Sequence, residues 1–300
     1  TAYEIIVTGV QTCALPIFPM PSEIFGRDRK AAKGWDITDP VTVAEINEGR
    51  DAYRDHRWKG GPIIAGEVSG AEVQMVRNPA DAEDTVGHVT QASEEDVNTA
   101  ITAAQEGFKA WSARSAEERA ECLRKVADLY EENAYELFAL ATREAGKSLL
   151  DGVAEIREAV DFAQFYANEG IRYKDSGESR GVVVCISPWN FPLAIFTGQI
   201  LANLVAGNAV LAKPAEQTSL LAVRAVELMH QAGIPEDVIQ LLPGTGATVG
   251  GVRRRQLPQR GGPEEHAEER DEDRRRHDVQ REHGGLPRVI DDGERVGGRH

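Results

Sequence analysis

The chain is 300 residues long, carries a formal charge of -15 at pH 7, and contains three cysteines. That length can bury one large core or two ordinary ones, and the acidity disfavours a nucleic-acid partner while suiting a soluble, metabolite-handling protein. No window offers the long uncharged apolar run that a membrane helix needs, and Cys13, Cys122 and Cys185 are too scattered for a disulfide framework, so a reducing, cytoplasmic compartment is expected.

Residues 1–18, TAYEIIVTGVQTCALPIF, are apolar without a basic leader and make a poor signal peptide. Their run VTGVQTCALPI resembles the translation of a sequencing-adapter oligonucleotide, so we read them as a scar and give Cys13 no functional weight. Residues 19–62 are mixed and polar, with a helical pattern in ITDPVTVAEINEGRDAYR, and are expected to be a linker from an upstream domain. From 63 to 91, short β-like runs alternate with Gly and Asn-Pro turns, the pattern of a hairpin or arm.

Ser93-Glu-Glu-Asp96 reads as a capping box, followed by Val97, Ile101, Ala104, Phe108 and Trp111 at helical spacing. Ser115-Ala-Glu-Glu118 opens a second helix, in which Cys122 shares the apolar face with Val126 and Leu129 and is therefore a packing residue. SLLDGVAEIREAVDFAQFYA predicts a third helix. At residue 181 the period changes. GVVVCIS reads as a strand buried on both faces, LAIFTGQILANLVAGN as an apolar helix, NAVLAKP as a second strand, SLLAVRAVELMHQAG as a helix closed by Gly233, and VIQLLPGTG as a third strand. This alternation predicts an α/β fold with a Rossmann-type parallel sheet, preceded by helices and a β arm.

Ligands of open parallel sheets lie beyond the carboxyl ends of the strands, where ISPWNFP, KPAE and PGTGATVG all fall. Asn190 presents an amide on a turn braced by Pro188 and Pro192, as an oxyanion donor requires; a turn-stabilising Asn is the alternative. Lys213 and Glu216 either bond ribose hydroxyls or form an exposed ion pair. Gly244-x-Gly246-x-x-x-Gly250 lets backbone approach a phosphate, although its spacing is one residue off the dinucleotide fingerprint and a plain tight turn fits as well.

Together ISPWNFP, KPAE, PGTGATVG and REAGK resemble the aldehyde dehydrogenase superfamily. FGRDRK, GWDI, RNPAD, EIREAVDFAQFYA and KPAEQTSLLAVRAVELM narrow the resemblance to the pyrroline-5-carboxylate dehydrogenase module of bifunctional proline-utilisation proteins, over about residues 19–250. The resemblance implies NAD-dependent oxidation of L-glutamate γ-semialdehyde to L-glutamate through a cysteine thiohemiacetal. By matching motifs it makes Asn190 the oxyanion donor and places Ile186, Ser187, Pro188 and Trp189 on the nicotinamide side. Lys213 and Glu216 then hold the adenosine ribose, with NAD favoured over NADP because a Glu216 carboxylate repels a ribose phosphate. Gly246 and Gly250 approach adenine and pyrophosphate, Phe191 walls the aldehyde tunnel, and Glu158 matches a helix glutamate near the substrate. FAD belongs only to the upstream proline dehydrogenase barrel, which is not in this sequence. The partners implied are the small aldehyde and further copies of the parent in a homo-oligomer.

The family's nucleophilic cysteine, its FTGS segment and its general-base glutamate lie downstream of PGTGATVG and do not occur here. Cys185, inside a buried strand, is a poor substitute. Residues 251–300 contain no Phe, Trp, Tyr or Lys; they read as a disordered tail, frameshifted or chimeric in preference to a genuine interaction tail, and His266, His277, His283 and His300 have no metal-site spacing. The expectation is a catalytically incomplete, aggregation-prone piece of a dehydrogenase, with residues 63–250 forming part of its cofactor-binding domain. The alternatives are a dehydrogenase for another aldehyde and a non-catalytic cofactor-binding or interaction module.

Overall fold

A computed structural model describes residues 23–26 and 29–249, all within one compact unit. The 1–18 segment with Cys13, Gly250, and the 251–300 tail with its four histidines lie outside the described residues.

Helix α1 (Pro40–Asp51) starts where the Asp39 carboxylate accepts from the amides of Val41 and Thr42, with Pro40 tolerated in a first turn that lacks amide partners anyway. Strand β1 (Trp58–Gly60) runs parallel to β3 (Asp81–Thr90), and β2 (Val73–Asn78) pairs antiparallel with β3, giving the order β1-β3-β2. The expected arm is thus a hairpin turning at Asn78–Asp81. Residues 29–62 are packed and do not run free: Ala32, Ile46 and Trp58 enter the core, and Trp35 meets Phe138 edge-on at 5.0 Å. Their apolar residues are too widely spaced to betray this in sequence.

Four helices follow: α2 (Glu94–Ser112), α3 (Ala116–Glu132), α4 (Ala134–Arg143) and α5 (Leu149–Arg172). Both expected capping boxes form, at Ser93/Asp96 and Ser115/Glu118. Helix α4 was not separable in the sequence, because only Asn133 divides it from α3. Cys122 is buried on α3 as expected.

Strands β4 (Val182–Ile186), β5 (Ala209–Lys213) and β6 (Ile239–Leu241) form a parallel sheet in that order, linked by α6 (Ala194–Val205) and α7 (Ser219–Gln231). Strand β5 is buried throughout, whereas Val182, Val183 and Val184 of β4 are only half-buried, contrary to the two-faced burial expected. The reason is position: β4 ends the sheet on one side among the described residues, whereas β6 at the other end is covered by the Ile63 segment. The core runs between sheet and helices: Trp111 donates through Nε1 to the Leu204 carbonyl at 2.8 Å, and the Tyr130 hydroxyl lies 3.1 Å from Thr197 Oγ1. Ile63 and Leu241 exchange two backbone hydrogen bonds, 3.0 and 2.8 Å, tying the segment before the hairpin to the third strand.

Candidate cofactor and oxyanion site at the strand tips

The register places the three tips side by side. Ile186 pairs with Lys213, and Ala212 with Leu241. One step further out, the Ser187 amide donates to the Lys213 carbonyl at 3.1 Å and the Leu242 amide to the Ala212 carbonyl at 2.9 Å, so the ladder extends beyond the strands proper. The motifs that leave these tips therefore share one sheet edge.

Lys213 is 7% exposed and its Nζ donates to the Pro214 carbonyl at 3.1 Å. Burial pulls its ammonium below the usual lysine range, partly offset by the Glu216 charge. Glu216 itself is exposed, at the start of a short 3-10 turn. The two make no salt bridge, so the ion-pair reading of this motif gives way to a buried cation beside an exposed carboxylate. Ser187 is buried and its Oγ has no hydrogen-bond partner. A buried hydroxyl without a partner costs free energy that a bound polar ligand would recover.

Pro188 is half-buried; Ile186, Trp189, Asn190 and Phe191 are exposed. Asn190 makes no hydrogen bond with any described residue, so its amide does not staple the turn. At the third tip, residues 246–249 begin a helical turn: the Thr245 hydroxyl accepts from the Thr248 amide at 3.2 Å, and a side chain at Gly246 would meet nothing within 4 Å. Open space around the first turn of a helix leaves its amides accessible to an anion.

Glu158 feels the charge of Lys147, whose ammonium lies 4.8 Å from the Phe191 ring. It is exposed on α5 beside a cleft of about 530 Å³ that Arg29, Arg157, Phe162 and Phe165 also line. Burial, then the Glu155 charge, raises its carboxyl above the usual range, while Lys147 opposes. A cleft of about 640 Å³ beside the hairpin includes none of the tip residues, and its Arg143 is already bound to both Asp84 oxygens, at 3.0 and 2.6 Å.

Sequence reasoning missed what sets the two crossover helices. Neither α6 nor α7 has a side-chain cap of its own, at Leu193 or Thr218. Each is capped from a distance by a buried carboxylate. Glu155 Oε2, on α5, accepts from the amides of Leu193 and Ala194 at 3.1 and 2.9 Å. The two Glu144 oxygens accept from Leu220 and Leu221, both at 2.7 Å. Burial pushes the Glu144 carboxyl up to about 8 against the pull of those two amides. A usable signal existed for α6, where Leu193 cannot cap and Glu155 sits among the apolar residues of α5; at α7 Thr218 reads in the sequence as a cap of its own.

The two cysteines described are unsuited to nucleophilic attack. Cys185 is 4% exposed, and burial pushes its thiol up to about 11; burial raises the Cys122 thiol as well. Among the described residues no helix is long and apolar enough to cross a membrane.

Residues 67–252 match the sequence profile described as the aldehyde dehydrogenase family. The chain is 44% identical over 237 residues to the bifunctional protein PutA of Klebsiella aerogenes, covering 78% of this chain and 18% of that protein. It is 38% identical over 235 residues to the 1-pyrroline-5-carboxylate dehydrogenase of Geobacillus sp. strain WCH70, covering 71% and 46%. It thus spans less than half the length of these relatives. Among solved structures, the 1-pyrroline-5-carboxylate dehydrogenase from Thermus with bound NAD superposes with a TM-score of 0.68 at 31% identity, over 72% of this chain and 45% of that one. Proline utilization A from Bdellovibrio bacteriovorus gives 0.71 at 29% identity, over 79% and 26%. Strand order, tip motifs and these likenesses agree, and the chain belongs to the aldehyde dehydrogenase family.

Proposed function

We propose that this chain carries the cofactor-binding face of an NAD-dependent dehydrogenase that oxidises L-glutamate γ-semialdehyde to L-glutamate. The observation that supports this best is the single sheet edge on which a buried lysine, a buried hydroxyl without a partner and an uncommitted Asn amide converge. Relatives named as PutA and as 1-pyrroline-5-carboxylate dehydrogenase favour this substrate over other aldehydes.

The tip residues fit NAD. Lys213 and Glu216 would take the adenosine ribose hydroxyls, and the Gly246 turn, with Gly250 of the same motif outside the described residues, would let backbone approach adenine and pyrophosphate. Ile186, Ser187, Pro188 and Trp189 would line the nicotinamide. Bound there, NAD supplies the acceptor for the two electrons and the hydrogen lost by the aldehyde carbon. Asn190 donates a hydrogen bond to the substrate oxygen as negative charge builds on it; an amide aimed in advance costs no reorganisation at that moment. Phe191 walls the aldehyde path, and Glu158 is the helix glutamate near the substrate. With both described thiols buried, the chain as sequenced does not turn over aldehyde.

Titration with NAD, followed by calorimetry and by the fluorine spectrum of 5-fluorotryptophan-labelled chain, tests this. Saturable binding is expected with a dissociation constant on the order of 1 mM, the affinity of a half-built site. NADP should bind more weakly, and Lys213→Met should abolish the NAD response. Micromolar affinity would show a complete site and contradict the half-site; no response up to about 10 mM NAD would remove the dehydrogenase assignment.

A further inference from the structure

Glu144 of the motif REAGK caps α7, and the motif's last residue, Lys147, reaches the first strand tip. Lys147 Nζ lies 3.0 Å from Glu155 Oε1, with side chains 16% and 1% exposed. The same ammonium sits 4.8 Å from the centroid of the Phe191 ring, within cation–π range. Glu155's other oxygen holds the Leu193 and Ala194 amides. Between these two attachment points, Phe191 and Leu193, runs the short remainder of ISPWNFP, and Asn190 immediately precedes the first of them. At its other end the loop is fixed by the Ser187 amide on the Lys213 carbonyl, 3.1 Å. Gly146, at φ 64°, makes the turn that lets Glu144 face α7 while Lys147 faces Glu155.

We propose that Lys147 and Glu155 are positioning residues: an ion pair with a buried carboxylate and a half-buried ammonium that clamps the Phe191–Ala194 side of the loop and so sets where the Asn190 amide stands relative to the Lys213 tip. The functional meaning of the clamp rests on the dehydrogenase reading; its existence does not. A pair of this kind adds little to stability compared with well-packed apolar residues, but it fixes one arrangement, because losing the ammonium leaves the buried Glu155 charge stranded. The pair orients two different groups at once. Its carboxylate takes the helix amides and its ammonium takes the aromatic ring, so the loop cannot shift without breaking one of the two.

Hydrogen exchange of the full chain, read on peptides covering residues 188–196 and, as an internal reference, 219–224, tests the clamp. Glu155→Ala is expected to speed exchange at Leu193 and Ala194 roughly tenfold or more, as loss of a buried acceptor implies, and to leave the reference unchanged. Lys147→Met should shift and broaden the Trp189 fluorine resonance, assigned through Trp189→Phe, without moving those of Trp35, Trp58 and Trp111; Lys147→Arg, which keeps the cation, should restore it. Unchanged exchange in Glu155→Ala, equal acceleration of both peptides, or equal disturbance of all four tryptophans would overturn the proposal. An NAD-induced Trp189 shift that survives Glu155→Ala undiminished would overturn it too. If NAD moves no resonance in the unsubstituted chain, the dehydrogenase reading fails, and the exchange data still decide the clamp.

Discussion

Glu144 shows how one buried carboxylate shapes the pH dependence of the whole chain. Its folded value of about 8 lies above the ordinary 4.5, so folding favours the protonated form. The stabilising contribution of this group is fully present below about pH 4.5 and is lost as pH rises toward 8, at no more than about 1.4 kcal/mol per pH unit for one proton. The urea midpoint should therefore fall between pH 5.5 and 8.5, and Glu144→Gln should remove that share of the slope; an identical slope in the variant would refute the assignment. In the sequence Glu144 was visible only as part of a motif. Asn190 and Lys213 could be picked out because prolines and strand ends bracket them, but whether the lysine was exposed depended on packing that no local pattern encodes.

At the scale of elements, two capping boxes of similar sequence carry different weights. Glu118 is exposed and serves only Ser115. Asp96 is fully buried and accepts from the amides of Ser93, Ser69 and Gly70 at 2.7, 2.7 and 3.0 Å, so it joins the start of α2 to the segment before β2. Chemical denaturation should show Glu118→Ala costing about 0.5 kcal/mol, as an exposed cap does, and Asp96→Ala about 3 kcal/mol, one unsatisfied amide at a time. Equal costs would mean that the loop amides find water. Helix types and positions were legible because capping residues and apolar periodicity are local signals. The half-exposure of β4 was not, since an edge strand and a central strand share the same run of Val and Ile until their neighbours are known.

At the scale of the whole molecule, one cluster of exposed apolar side chains lies at the strand tips. Ile186, Trp189 and Phe191 are 50%, 57% and 40% exposed on one short loop beside the edge strand β4. Apolar patches next to an unpaired sheet edge invite association. Sedimentation should show the chain self-associating at micromolar concentrations, and Trp189→Ser with Phe191→Ser should weaken that association. A monodisperse monomer with a single cooperative thermal transition would count against this account.

By itself the sequence determined the alternation of strand and helix, the family, and the three motifs that leave consecutive strands, because periodicity, capping and glycine-proline punctuation act over a few residues. Only the tertiary structure decided that residues 29–62 join the core, that Lys213 is buried, and that Glu144 and Glu155 cap helices they are far from in sequence. Those outcomes depend on desolvation and on hydrogen bonds between segments tens of residues apart, and such contacts exist only once the chain has closed on itself.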